Sequence, residues 1–392
     1  MSRRAIQEAV RDLGWSVFTE LGVPGVVRHH QSAVIDPEPL IVASSVFFEL
    51  DLRLRDQIYG WCKTYADRIS VSRLQGLLNK LEEPNRRSFA AFAATLRSGS
   101  KARWPMIEGV EPWRRPPDVK PPRLPLERPA LLRLRLRALL GVGARADVFC
   151  ELFARTGAWT RISELADDGY SKRAIALILS DLAGAGFVKS RTERNALHYQ
   201  LAHPELLYEL TGAGDLAFPS WRKIMLLVRR SLALVELEKK PDGVRRVEAN
   251  MHRKEMKRLA DQLWLNEPPV TRGNPEAYDE MDSWVTTQMD ELAKGSSPAL
   301  GVLKVRAAAV EGGGEVWVWL HRSAANYERL SATLREPHRA AEDVACTAVS
   351  PTADGWTSFQ LMLEPRLNEV GVHNKVEHLV SPMKVAWRRV LP

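Results

Sequence analysis

The spacing of apolar positions divides the chain into helical, proline-broken, helical and strand-like stretches. Over the first hundred residues apolar side chains recur every three or four positions, the period of an amphipathic helix. Leu52, Leu54, Ile58 and Trp61 share one face of a helix beginning near Asp51, which leaves Arg53, Arg55 and Asp56 for solvent. Val71, Leu74, Leu77, Leu78 and Leu81 repeat the pattern over 70–81, and Phe89, Phe92 and Leu96 continue it over 88–96. This predicts an N-terminal helical domain, 1–103, with no evident chemistry. Prolines then interrupt both periods: Pro105, Pro112, Pro116, Pro117, Pro121, Pro122, Pro125 and Pro129 forbid regular helix or central strand. With Arg114, Arg115, Lys120, Arg123 and Arg128 interspersed, 104–130 reads as an extended Pro/Arg-rich linker. A solvated spacer is the favoured reading; lying across another domain or tracking a phosphate backbone are the others.

The pattern is richest over 131–204. Leucine and arginine alternate in LLRLRLRALL (131–140), which fits strand or helix; a basic helix ended by Gly141 is preferred. The following Gly141-Val-Gly-Ala-Arg-Ala146 matches a GxGxxA dinucleotide fingerprint only superficially, because no second strand completes a βαβ unit. Residues 144–155 are amphipathic, with Val148, Phe149, Leu152 and Phe153 inward. A short helix over 162–166 follows, then the turn Asp167-Asp168-Gly169, where glycine takes a positive φ cheaply. Ser171 is a natural N-cap for the next helix, whose inward positions are Ile175, Ile178, Leu179 and Leu182. Lys172, Arg173, Ala176 and Ser180 point outward, and Gly184 and Gly186 stop the helix. Two alternating runs, 187–191 and 197–201, flank a polar tip at 192–195.

Helix, short helix, turn, helix and hairpin is the order of a winged helix-turn-helix. The stretch ISELADDGYSKRAIALILSDLAGAGFVKSRTERNALHYQLA resembles the winged-helix regulators of the MarR and ArsR type, over about sixty residues and no further. The resemblance implies a transcriptional regulator that binds double-stranded DNA. In that architecture the first turn of the recognition helix meets base edges and phosphates. Here those residues are Tyr170, Ser171, Lys172 and Arg173, with Arg173 suited to a bidentate guanine contact and Lys172 to phosphate. Lys189, Arg191 and Arg194 put positive charge on the wing, where flanking backbone or minor groove is met. Winged helices also serve as protein-interaction modules, so a scaffold or regulatory partner in a toxin–antitoxin or phage-defence system is the alternative.

Helical periodicity returns over 220–239, with Ile224, Leu227, Val228, Ser231, Leu232 and Val235 on one side. It continues to about 265 with Val247, Met251, Leu259 and Leu263. Paired long helices beside a winged helix suggest a homodimer interface, or else mutual packing within one chain, so 205–297 is a helical, dimerisation-type region. The last section, 298–392, switches to period two. Residues 301–310 and 315–321 form a hairpin through Gly312-Gly-Gly314, a helix over 324–334 follows, and strands lie around 344–349 and 357–363. Val316, Val318 and Leu320 face one way, Trp317 and Trp319 the other, as core or as the lining of a small-molecule effector pocket. The expected fold is mainly α and multidomain, with a central winged helix-turn-helix and a C-terminal α+β domain.

Composition changes this picture little. The 392 residues carry a formal net charge of +8, compatible with an anionic partner. Cys62, Cys150 and Cys346 lie far apart with no CxxC pair, so buried free thiols are expected and no zinc site. No apolar run approaches the roughly 20 residues of a membrane span, and MSRRAIQEAVRDLGW lacks the apolar centre of a signal peptide, so the chain is expected in the cytoplasm. No GxxxxGK[ST], HExxH, GxSxG or HxE…CxxC arrangement is present. His29, His30, His373 and His378 read as surface histidines, and Glu364, Glu369 and Glu377 as solvated charge. No catalytic set, cofactor or metal is therefore expected, and binding is the expected activity.

Overall fold

The computed structural model describes residues 3–31, 33–83, 85–100, 102–154, 159–166, 169–193, 195–203, 216–263, 265, 267–270, 276–300, 303–310, 313–321, 331–332, 334–339, 342, 344–351 and 356–363. It is mainly helical with small antiparallel sheets. The first six helices are α1 (Arg3–Glu20), α2 (Pro37–Ala43), α3 (Ser45–Phe48), α4 (Leu52–Thr64), α5 (Val71–Asn79) and α6 (Asn85–Gly99). Their starts follow local chemistry. Pro37 opens α2, where a missing N–H costs nothing. The Asp51 carboxylate caps α4 by accepting from Leu54 N–H, and Ser70 caps α5 by accepting from Arg73 N–H.

These helices share one hydrophobic core with three later ones, α11 (Trp221–Glu236), α12 (Asp242–Leu263) and α13 (Ala277–Ala293). The long α1 packs along α13 and α11, and α2 packs on α11 and α5. Phe18, Phe47, Trp61, Trp104, Trp221, Met281 and Leu292 meet in this body. The core thus crosses the boundaries drawn from the sequence, joining 1–103 to much of 205–297. The apolar face of α11, a candidate dimer surface, is occupied by α1, α2 and α12 of the same chain. On α12 the pattern picked Val247 and Met251 for burial, yet they are 62% and 70% exposed. Ala249, Met256, Leu259, Ala260 and Leu263 form the buried face, because Ala249 and Ala260 let α11 and α13 approach closely. Leu52 and Val71 are likewise exposed, both in the first turn of their helices where the chain enters from solvent.

Residues 102–128 are not a free spacer. They run extended over α4 and α6, where Trp113 N–H donates to Thr95 Oγ1 (2.8 Å) and Trp104 and Leu124 are buried. Arg128 closes the run by donating to the Thr19 carbonyl at 2.7 Å.

A second core holds α7 (Leu132–Leu140), α8 (Ala144–Ala154), α9 (Ile162–Leu165) and α10 (Lys172–Gly184) against a three-stranded sheet. Its strands are β1 (Thr160–Arg161), β2 (Val188–Glu193) and β3 (Ala196–Leu201), antiparallel in the order β1-β3-β2. Asn195, with φ of 62°, turns the β2–β3 ribbon. Phe149, Phe153, Leu165, Ile175, Leu179, Leu182, Val188 and Tyr199 fill this central unit. The body embraces it in sequence, since body helices come both before and after.

The third element group is a four-stranded antiparallel sheet, order β4-β5-β7-β6, built from β4 (Leu303–Val310), β5 (Gly313–His321), β6 (Val344–Pro351) and β7 (Trp356–Leu363). Val316, Val318, Leu320, Phe359, Leu361 and Leu363 are buried on one face. On the other, Trp317 Nε1–H and Gln360 Nε2–H both donate to Glu315 Oε1. The Trp319 side chain, most of the expected 324–334 helix, and Glu364, Glu369, His373, Glu377 and His378 lie outside the described residues.

Candidate nucleic-acid interface

Helix α10 is the element whose outward face carries the expected contacts. Ser171 opens it, its hydroxyl accepting from Ala174 N–H at 3.2 Å. Ile175, Leu179 and Leu182 turn into the central core, which fixes the rotation of the helix. Ser171, Lys172 and Arg173 are therefore exposed together at its start, followed along the same side by Leu177, Ser180 and Asp181. Leu177 is 62% exposed, and Asp181 pairs with Arg145 of α8 at 3.2 Å. The positive charge is thus concentrated at the first turn, while the far end is neutralised. On the ribbon Lys189 is exposed, and the Arg191 guanidinium lies 4.2 Å from the ring centroid of Trp159. That stacking orients Arg191 without removing its charge. Arg194 lies outside the described residues.

Tyr170 departs from expectation. Instead of facing outward with Ser171, its hydroxyl donates to Asp147 Oδ2 at 2.6 Å and lies 3.0 Å from Ser70 Oγ of the body. Burial, reinforced by the Asp147 carboxylate, raises the phenol well above its ordinary value. The residue belongs to the mounting of α10, because its hydroxyl is an uncharged donor spent on the buried Asp147 carboxylate.

That carboxylate is part of a buried ionic cluster between body and central unit. Arg73 of α5 makes a fork to Asp36 (2.6 Å to each oxygen) and reaches Glu38 at 2.7 Å. Arg137 of α7 bridges Glu38 (2.6 Å) and Asp147 (2.9 Å), and Arg133 joins Asp147 (3.2 Å) to Glu151 (2.7 Å). Burial alone would raise Asp36, but Arg133 and Arg73 hold it down at about 2. Asp147 is likewise held well below the usual carboxylate range: burial opposes, and Arg137, Arg73 and Arg133 prevail. Cys150 beside them is pushed up to about 12 by burial, which favours the protonated thiol. The leucine–arginine alternation predicts a basic helix, and α7 is helical, but its Arg133 and Arg137 are buried and neutralised. The available signal was complementary spacing: Arg133 and Arg137, then Asp147 and Glu151, are each i,i+4 pairs on consecutive helices.

The mounting is also steric. Gly169, with φ of 94°, is the last residue of the turn before α10. A Cβ on Gly76 of α5 would lie 2.9 Å from Gly169 Cα, and one on Gly169 would lie 3.2 Å from Arg73 Cα. Backbone therefore touches backbone, as only glycine permits.

His30, expected at the surface, is buried in the body. His29 N–H donates to Ser16 Oγ (2.8 Å), Ser16 Oγ lies 2.7 Å from His30 Nδ1, and His30 Nε2 lies 2.9 Å from the Leu292 carbonyl. Both ring nitrogens are satisfied by a neutral imidazole whose Nε2–H donates to that carbonyl. Burial, opposed by the Leu292 bond and aided by His29, lowers its pKa to about 4.

Among the described residues no group of His, Cys, Asp and Glu is placed to hold a metal ion, and no helix is long and apolar enough to cross a membrane. No known protein family, curated protein or solved structure matches this chain.

Proposed function

We propose that the central unit is a winged helix-turn-helix and that the protein binds duplex DNA as a transcriptional regulator. One observation carries the reading. Helices α8, α9 and α10 precede a β2–β3 ribbon whose inner strand also pairs β1, and the exposed start of α10 is Ser171-Lys172-Arg173. A major groove about 12 Å wide admits one helix, and the first turn of α10 is the part with cations free of internal acids. Arg173 would read a base edge, Lys172 and Ser171 the phosphates, and Lys189 and Arg191 on the wing the adjacent backbone, with Arg194 proposed for the same role from the sequence alone. The activity so proposed is binding rather than catalysis. Dimerisation belongs to the same proposal, with the exposed stripe Val244, Val247 and Met251 of α12 as the face offered to a second copy.

Electrophoretic shift or genomic footprinting tests this. Duplex binding is expected to weaken steeply with salt as condensed counterions are released. Lys172→Ala with Arg173→Ala is expected to abolish sequence-selective binding with the fold intact; parental binding by that double variant would reassign the interface. A second reading, a protein-docking module, is favoured by Leu177 on the outward face of α10, Phe187 just before the ribbon and Leu197 on it, 62%, 58% and 48% exposed. Loss of all duplex retention at low salt would turn the assignment to it.

A further inference from the structure

We propose that α5 of the helical body forms a second half of the DNA interface, lying on the phosphate strand that borders the groove occupied by α10. This rests on the duplex-binding reading above. The juxtaposition is fixed by contacts already described: Gly76 against Gly169, Arg73 against Gly169, and Ser70 against Tyr170. Any approach of DNA to the first turn of α10 is therefore an approach to α5.

The exposed side of α5 has the chemistry for it. At 100° per residue, Ser72, Asn79 and Lys80 flank Gly76 within about 60° on the helix surface, with Gln75 next to them. All four are exposed, and Gln75 Nε2–H donates to Asn79 Oδ1 at 2.9 Å, holding both amides on the surface. No acidic residue occurs between Val71 and Lys80. Hydroxyl, amide and ammonium groups are the side chains that position proteins on phosphates without reading sequence. The reach also fits. A rise of 1.5 Å per residue puts Ser72 and Lys80 about 6 Å to either side of Gly76. Tyr170 and Ser171 separate Gly169 from Lys172, a span of at most about 11 Å. That is close to the ~12 Å width of the major groove, so α10 in the groove sets α5 over one bounding strand. The ribbon with Lys189 serves the flanking backbone elsewhere. The body is thus part of the grip, and the Gly76–Gly169 contact sets the spacing of its two halves.

The test is fluorescence anisotropy on the full chain, with a labelled mixed-sequence duplex of about three helical turns (~30 bp) over a series of salt concentrations. Lys80→Ala is expected to reduce the slope of log affinity against log salt by about one, the signature of one lost phosphate contact. Asn79→Glu is expected to weaken binding about tenfold or more by repelling the backbone. Both sites are solvated, and unchanged thermal melting verifies the fold. If Lys172→Ala with Arg173→Ala weakens binding while Lys80→Ala and Asn79→Glu bind as the parent does, the α5 contact is overturned and duplex binding stands. Tighter binding by the α5 variants overturns it too, and marks α5 as an obstruction. If the parent retains no duplex at low salt, both readings fall together.

Discussion

Two basic regions, joined through Tyr170 and the Asp147 carboxylate, do opposite things in this protein. At the junction of body and central unit, Arg73, Arg133 and Arg137 are buried and shared among Asp36, Glu38, Asp147 and Glu151. At the start of α10, Lys172 and Arg173 are exposed, and no acidic residue follows in the helix before Asp181. The first set spends its charge internally and orients one core against another. The second keeps its charge for an anion. Net charge treats the two alike, so +8 says less about a partner than the placement of the acids does.

Removing one member of each set sharpens the contrast. The largest effect is expected for Asp147→Ala, which leaves Arg133, Arg137 and Tyr170 facing a missing carboxylate. Breaking a buried pair from one side costs about 3–5 kcal/mol, read as a lower urea midpoint with unchanged slope. Acid separates the junction from the rest of the body next. The folded state holds His30 near 4 against an ordinary 6.5, so the unfolded chain binds the extra proton between those values. Stability present above pH 6.5 should fall by on the order of 3 kcal/mol as pH drops to about 4. His30→Gln should flatten that interval, whereas Asp36 and Asp147 lose their contribution only at lower pH, through their depressed values. An equally steep fall in His30→Gln would put its source elsewhere. Tyr170→Phe removes a hydrogen bond to a charged group and is expected to cost about 1.5–3 kcal/mol in chemical denaturation. The smallest stability effect belongs to Lys172→Ala with Arg173→Ala, within about 0.5 kcal/mol, because these side chains touch no core. A large loss of stability there would show that the exposed cations are structural as well.

How legible these regions were depends on what had to be known beyond period. The α10 register was readable because one short helix has one apolar stripe and a serine cap; Ile175, Leu179 and Leu182 face inward as their spacing requires. Tyr170 was not, since its partners Asp147 and Ser70 lie 23 and 100 positions away. The α7 arginines misled for the same reason: alternation describes one element, and the acids that neutralise Arg133 and Arg137 sit on others. On α12 two apolar stripes compete, and only packing against α11 and α13 decides for Ala249 and Ala260 over Val247 and Met251. The proline-rich run was correctly non-helical, but period cannot reveal that Trp104 would be buried between α6 and the extended chain.

The pairing of α1 with α13 has a consequence for the order in which the molecule can be made. A ribosome adding ~5–20 residues per second needs roughly ten to fifty seconds after α1 emerges before α13 follows. During that interval Ile6, Val10, Leu13 and Val17 lack α13, the helix they pack along most extensively, while the central unit already has nearly all of its own core. Stalled nascent chains ending near 250, with 132–201 clear of the ribosome and α13 not yet made, should therefore resist protease across 132–201 and be cut within 3–99. Equal protection of both segments at that length would show that the first helices find a temporary partner.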